Sequence, residues 1–209
     1  MIVVTIDGPA GTGKSTIAAA LAARLRSTHV DTGAFYRAAT LAVLRAGVDP
    51  RDAERCLDIV AKISIERHGG RTWLDGEDVE REIRGPAVTA AVSAVSAHPA
   101  VRRALLAAQR AEITETGAVV EGRDAGTVVA PDAAVKVWLT ASPEARAARR
   151  ATQLGHAGPE AVDAHTHDLA RRDALDAAQM RPAPDAFTID TTDREIDDVV
   201  EEIVALTRS

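Results

Sequence analysis

From residue 8 to residue 15 the chain runs Gly8-Pro9-Ala10-Gly11-Thr12-Gly13-Lys14-Ser15, which fills the pattern G-x-x-x-x-G-K-[ST] without a mismatch. Its surroundings fit a strand–turn–helix unit. Ile2-Val3-Val4-Thr5-Ile6 reads as a buried strand, and Ile17, Ala18, Leu21, Ala22 and Leu25 recur at helical spacing behind the turn. Glycines at this spacing let successive N–H groups point into one concavity, and the helix N-terminus adds its partial positive charge. Such a turn holds nucleotide phosphates through residues 8–16, Gly8 to Thr16, with Lys14 reaching the β- and γ-phosphates and the Ser15 hydroxyl ligating Mg²⁺. The alternative is a glycine-rich turn that binds nothing. Strand, turn and helix standing in register favour the phosphate site.

Length and composition narrow the class. A chain of 209 residues and 21.9 kDa suits one domain with a small insertion. Hydrophobic residues at 46% and charged residues at 27% describe a globular protein whose core, with only 2% aromatics, is filled by aliphatic side chains and Ala. That scarcity, together with a net charge of −6, argues against a nucleic-acid partner, which wants stacking rings and a basic surface. Cys56 stands alone in the helix-like run Cys56-Leu57-Asp58-Ile59-Val60 and reads as buried filler. With no apolar run of membrane-spanning length and no leader ahead of the first strand, the expectation is a cytoplasmic monomer free of membrane.

Short apolar runs alternate with helical patterns, which predicts an α/β domain with a parallel sheet. Strands are expected at 2–6, 28–30, 118–121, 135–139 and 187–189. Helices are expected at 14–26, 34–46, 86–97, 100–115, 143–153 and 196–206. Residues 64–83 break the rhythm with a hairpin around Gly69-Gly70 and a second turn at Asp75-Gly76. This antiparallel insertion is either a surface hairpin or a flap beside a substrate. A polar stretch at 153–167 reads as a linker or a lid.

Ligands of open α/β sheets collect at the carboxyl ends of the strands, and several polar segments are expected there. Asp31-Thr32-Gly33-Ala34-Phe35-Tyr36-Arg37 follows the second strand, where Asp31 or Thr32 can cap a helix and Arg37 stands one turn along. Glu121-Gly122-Arg123-Asp124 ends the strand at 118–121. Glu121 there can accept a hydrogen bond from a metal-bound water, while Arg123 and Asp124 read equally as a solvated turn pair. Arg146, Arg149 and Arg150 share one helix face, either solvated or turned to phosphate. Arg172 and Asp176 can bind a phosphate and a ribose, or belong to ordinary salt bridges within a helix.

Taken together and in order, these segments resemble the bacterial cytidylate kinase family over nearly the whole chain. The resemblance is carried by the glycine-rich turn, Asp31-Thr32-Gly33-Ala34-Phe35-Tyr36-Arg37, Leu74-Asp75-Gly76-Glu77-Asp78-Val79, Gly122-Arg123-Asp124 with Gly126-Thr127-Val128-Val129, and Arg172-Asp173-x-x-Asp176. It implies a P-loop core with a five-stranded parallel sheet ordered 2-3-1-4-5, a nucleoside-monophosphate insertion near 64–83 and a lid near 151–167, all within one domain over 1–209. It further implies transfer of the γ-phosphoryl of ATP to CMP or dCMP, with Mg²⁺. Lys14, Arg37 and Arg123 would act on the phosphates, and Arg146, Arg149 and Arg150 would approach ATP. Thr32, Ser93, Arg102 and Asp124 would serve the acceptor's binding, the last three at the cytosine, and Arg172 with Asp176 would hold its ribose. Where family members usually carry an Arg three residues after the ribose Asp, this chain has Gln179, with Arg181 as a possible substitute.

Rival readings are a P-loop kinase for UMP, AMP or shikimate, a regulatory GTPase, and a non-catalytic ATP-binding protein. The GTPase would need N-K-x-D and D-x-x-G segments that the chain lacks. The non-catalytic reading is disfavoured by the retained Lys14, Ser15, Arg37, Arg123 and Asp124.

Overall fold

The computed structural model describes residues 2–156 and 158–208; Met1 and Ser209, at the ends of the expected domain, and Ala157, in the expected lid, lie outside the described residues. In chain order β1 (Val3–Asp7) leads through the glycine-rich turn into α1 (Lys14–Leu25), and β2 (Thr28–Asp31) into α2 (Thr32–Arg45). Next come α3 (Ala53–Val60), the short strands β3 (Ile65–His68), β4 (Arg71–Leu74) and β5 (Glu77–Asp78), then α4 (Pro86–Ser96) and α5 (Pro99–Ala111). The chain continues through β6 (Ala118–Gly122), β7 (Val135–Thr140), α6 (Pro143–Gln153), α7 (Pro159–Asp176), β8 (Phe187–Asp190) and α8 (Ile196–Leu206). Among the described residues no helix is long and apolar enough to cross a membrane.

The large sheet has the order β2-β6-β1-β7-β8, which is the expected 2-3-1-4-5 once the three hairpin strands are set aside. β1 runs parallel to both β6 and β7, with Val3 opposite Ala118 and Ile6 opposite both Glu121 and Val137. β7 runs parallel to β8. A strand in the middle of such a sheet is covered on both faces, which is why β1 reads as a nearly continuous apolar run, broken by Thr5, rather than an alternating one. The expected strands and helices are all present, most of them shifted by a residue or two at their ends.

Two compact units make up the chain: Met1–His29 with Glu115–Ser209, and Val30–Thr114. In the first, Val4 and Ile6 of β1 meet Ile17 and Leu21 of α1, Val137 and Leu139 of β7, and Ile203 of α8. Truncating a fully enclosed side chain such as Leu21 to Ala removes about 2–5 kcal/mol. In the second unit α2 is capped by Asp31, whose side chain accepts from the Ala34 N–H at 3.0 Å. The apolar faces of α2, α3, α4 and α5 join around Tyr36, Val43, Cys56, Val95 and Leu105. Cys56 is fully buried there, as its setting in the sequence predicts. The hairpin strands form a separate antiparallel sheet ordered β3-β4-β5, with Gly69 and Gly70 taking positive φ at the turn.

Residues 153–167, which carry little apolar pattern, are largely helical. α6 ends at Gln153 and α7 begins at Pro159, leaving 154–158 as the connection. Where α6 and α7 pack together, Ala147 of α6 meets Leu169 of α7, and Arg146 pairs with Asp173 at 2.5 Å.

Candidate active site

The glycine-rich turn of the first unit is shaped by close approach. A Cβ on Gly8 would lie 2.2 Å from the Leu139 carbonyl oxygen, and one on Gly11 would lie 2.9 Å from Cβ of Arg146. Both residues also have positive φ, so side chains are excluded twice over. Glycine at both positions lets the turn run close against β7 and α6 and lead into the N-terminus of α1, where backbone N–H groups and the helix dipole favour an anion such as phosphate.

Lys14 opens α1 and is buried, its Nζ donating to the Pro9 carbonyl at 2.5 Å. Burial and then the nearby Arg123 charge lower its pKa well below the usual lysine value, with Glu121, Asp7 and Asp173 opposing. The next residue, Ser15, donates its hydroxyl hydrogen to Oε2 of Glu121 at 2.7 Å, while His29 Nε2 lies 2.9 Å from Oε1 of the same carboxylate. A hydroxyl and a carboxylate side by side are hard oxygen donors, the set that Mg²⁺ takes. Thr16 is exposed on the following position of α1.

The loop after β6 is fastened by Asp7, the last residue of β1. Its two carboxylate oxygens accept from the N–H groups of Ala125 and Gly126, each at 2.8 Å. Burial pushes this carboxyl up to about 6, against the pull of those two N–H groups. Arg123 leaves the same loop, with Nη1 donating to the Gly8 carbonyl at 3.1 Å and Nε to Asp176 at 3.3 Å. Asp124 follows it, buried, ahead of a single π-helical turn at Ala125–Val129.

The arginines of α6 make different contacts from one another. Arg146 pairs with Asp173, whose other oxygen accepts from the Ala10 N–H of the turn at 3.4 Å. Arg149 donates to the Thr191 hydroxyl at 3.0 Å and to the Thr191 and Thr192 carbonyls. Arg150 bonds Gln153 of its own helix. On α7, Arg172 has a buried Nε without a hydrogen-bond partner, and burial followed by the Arg123 charge lowers its pKa. Arg181, beyond Gln179, is exposed.

In the second unit Thr32 and Ser93 are buried. Asp31 is the cap of α2, and Arg84 bonds its second oxygen at 2.8 Å. Burial alone would raise the Asp31 carboxyl, but Arg84 and Arg67 outweigh it and hold it below the usual range. Arg37 Nη1 donates to the Ile83 carbonyl at 2.9 Å and to the Thr89 hydroxyl at 3.0 Å. Arg102 lies over the Tyr36 ring at 4.9 Å and donates to the Ser96 carbonyl.

Several contributors escape a reading of the sequence: Asp7, His29, Asp173, Arg84 and Thr89. Asp7 was the most accessible, as a carboxylate ending an apolar strand directly before the turn. The others act through partners far along the chain, as His29 does on Glu121, 92 positions away.

The family model described as cytidylate kinase matches residues 4–209. A cytidylate kinase of Mycolicibacterium paratuberculosis is 50% identical over 218 aligned positions, covering 99% of this chain and 95% of the relative. One from Rhodococcus opacus is also 50% identical, covering 97% of this chain and 93% of its own length. The crystal structure of an uncharacterized protein from Eubacterium ventriosum superposes with a TM-score of 0.51 at 13% identity, spanning 98% of this chain and 96% of that one, a likeness of fold alone.

Proposed function

The chain belongs to the cytidylate kinase family, and from that premise we propose how its residues divide the phosphorylation of CMP by ATP. Lys14, Ser15 and the backbone of residues 8–16 bind the triphosphate of ATP, and Arg146, Arg149 and Arg150 supply further positive charge. Mg²⁺ would supply neutralisation of the phosphate charge; Ser15 would be its protein ligand, and Glu121, bonded to Ser15, would accept from a metal-bound water. Arg37 and Arg123 hold the acceptor phosphate. Little covalent chemistry falls to the protein in such a transfer, so positioning and fixed positive charge carry the rate.

The observation that carries the acceptor assignment is Asp124, a buried carboxylate placed directly after Arg123 at the end of β6. A carboxylate accepts hydrogen bonds and cannot donate them, so it suits the amino group of cytosine and opposes the carbonyl that uracil has in its place. Ser93 and Arg102 supply the complementary donors, Thr32 adds a hydroxyl to the acceptor's binding, and Asp176 with Arg172 takes the ribose, whether or not its 2′-hydroxyl is present. The acceptor is CMP or dCMP. The lone buried Cys56 and the absence of a long apolar helix among the described residues support a cytoplasmic setting.

A coupled assay of ADP formation with CMP, dCMP, UMP and AMP tests the reading. CMP or dCMP is expected to give the highest kcat/KM, with UMP at least about tenfold lower, since losing a hydrogen bond to a charged group costs about 1.5–3 kcal/mol. Equal kcat/KM for CMP and UMP overturns the role of Asp124.

A further inference from the structure

We propose that His29 is a positioning residue for the cation side of the site, fixing the Glu121 carboxylate so that Glu121 in turn orients the Ser15 hydroxyl. The inference rests on the reading of Ser15 as the protein's cation ligand. Three side chains from three consecutive parts of the first unit form one chain of hydrogen bonds. His29 Nε2 is 2.9 Å from Oε1 of Glu121, and Oε2 accepts from Ser15 Oγ at 2.7 Å. The Glu121 side chain is 4% exposed and that of His29 is 26% exposed.

The chemistry of the three groups sets the direction of every bond. A carboxylate only accepts, so the hydrogen between His29 and Glu121 sits on Nε2, and the one between Ser15 and Glu121 sits on Oγ. With its hydrogen turned to Glu121, the Ser15 oxygen keeps its lone pairs for a cation. The negative charge behind that hydrogen also enriches the oxygen as a ligand. With His29 on one oxygen and Ser15 on the other, the plane of the carboxylate is defined from both sides, and with it the direction of the Ser15 hydrogen. The sheet makes the arrangement possible, because β2 neighbours β6, and Glu121 stands opposite Ile6 of β1, just before the glycine-rich turn.

Outer groups that orient metal ligands typically contribute about 10- to 100-fold to metal affinity. Mn²⁺ reports this directly, by the electron paramagnetic resonance signal of the free ion titrated into the ADP-bound enzyme. His29→Leu is expected to weaken Mn²⁺ binding at least about tenfold, whereas His29→Gln, whose amide can still donate, stays within about threefold of the parent. Urea unfolding of each variant, followed by circular dichroism, shows whether the fold is intact. A His29→Leu protein that unfolds more easily but binds Mn²⁺ like the parent overturns the proposal and leaves His29 a structural partner. Glu121→Gln separates this inference from the reading beneath it. If that change leaves Mn²⁺ affinity untouched, the cation-side role of Glu121 falls. If it weakens Mn²⁺ while His29→Leu does not, only the role of His29 falls.

Discussion

Asp7→Asn isolates one buried carboxylate whose effect on stability reverses the usual acid-titration pattern. Asp7 is 5% exposed and both its oxygens accept backbone N–H groups, yet burial holds its pKa at about 6 against an ordinary 3.8. The fold therefore binds the proton more tightly than the unfolded chain does. Stability from this group is fully present below about pH 4 and is lost as pH rises through about 6. At about 1.4 kcal/mol per tenfold change in proton affinity, the loss amounts to about 3 kcal/mol. In Asp7→Asn the amide oxygen serves one N–H while its NH₂ confronts the other, which costs about 1–3 kcal/mol and does not vary with pH. Urea unfolding of parent and variant between about pH 4.5 and 7 tests this, because the titrations of groups that do not face Asp7 cancel in the difference. The parent's advantage is expected to shrink by about 2 kcal/mol across that window, which covers most of the titration. An advantage that is constant, or that grows with pH, refutes the assignment of a raised Asp7 pKa.

Lys14→Ala is expected to lower kcat about 10²- to 10³-fold with an unchanged circular dichroism spectrum, because its charge acts on the transferring phosphoryl group and not on the fold. A near-parental kcat would rule that out. Thr89→Val removes the hydroxyl that receives the Arg37 guanidinium and should raise KM for CMP about fivefold while KM for ATP stays put. Thr89→Ser should restore it, and a matching rise in both constants would count against a role confined to the acceptor.

Strand and helix positions were legible wherever one pattern dominated. The nearly continuous apolar run of β1 and the i, i+3, i+4 spacing of α1 give element and burial together. α7 was not legible, because its apolar pattern is thin: among its described side chains Leu169 is the one strongly buried apolar residue, and Asp173 and Asp176 add ion pairs to Arg146 and Arg123. The site divides the same way. Lys14 and Ser15 belong to a contiguous motif whose spacing states its chemistry. The contacts of Asp7 join residues 118 and 119 positions apart, and no local pattern encodes them. Arg146, Arg149 and Arg150 share a spacing but not a set of partners, since α7, the residues after β8 and α6 itself each claim one of them.

The placement of β1 between β6 and β7 sets a timetable for synthesis. The strand that carries the glycine-rich turn is made well before either of the strands that flank it. Neither of its neighbours exists until translation has passed residues 118–140. All of the second unit is made in the interval, so its local contacts can form while β1 and α1 wait with their apolar residues uncovered. Closing so long a loop is slow, and an uncovered strand edge invites pairing with other chains. A truncated chain released before residue 118 would carry the whole glycine-rich turn and still have no sheet on which to fix it.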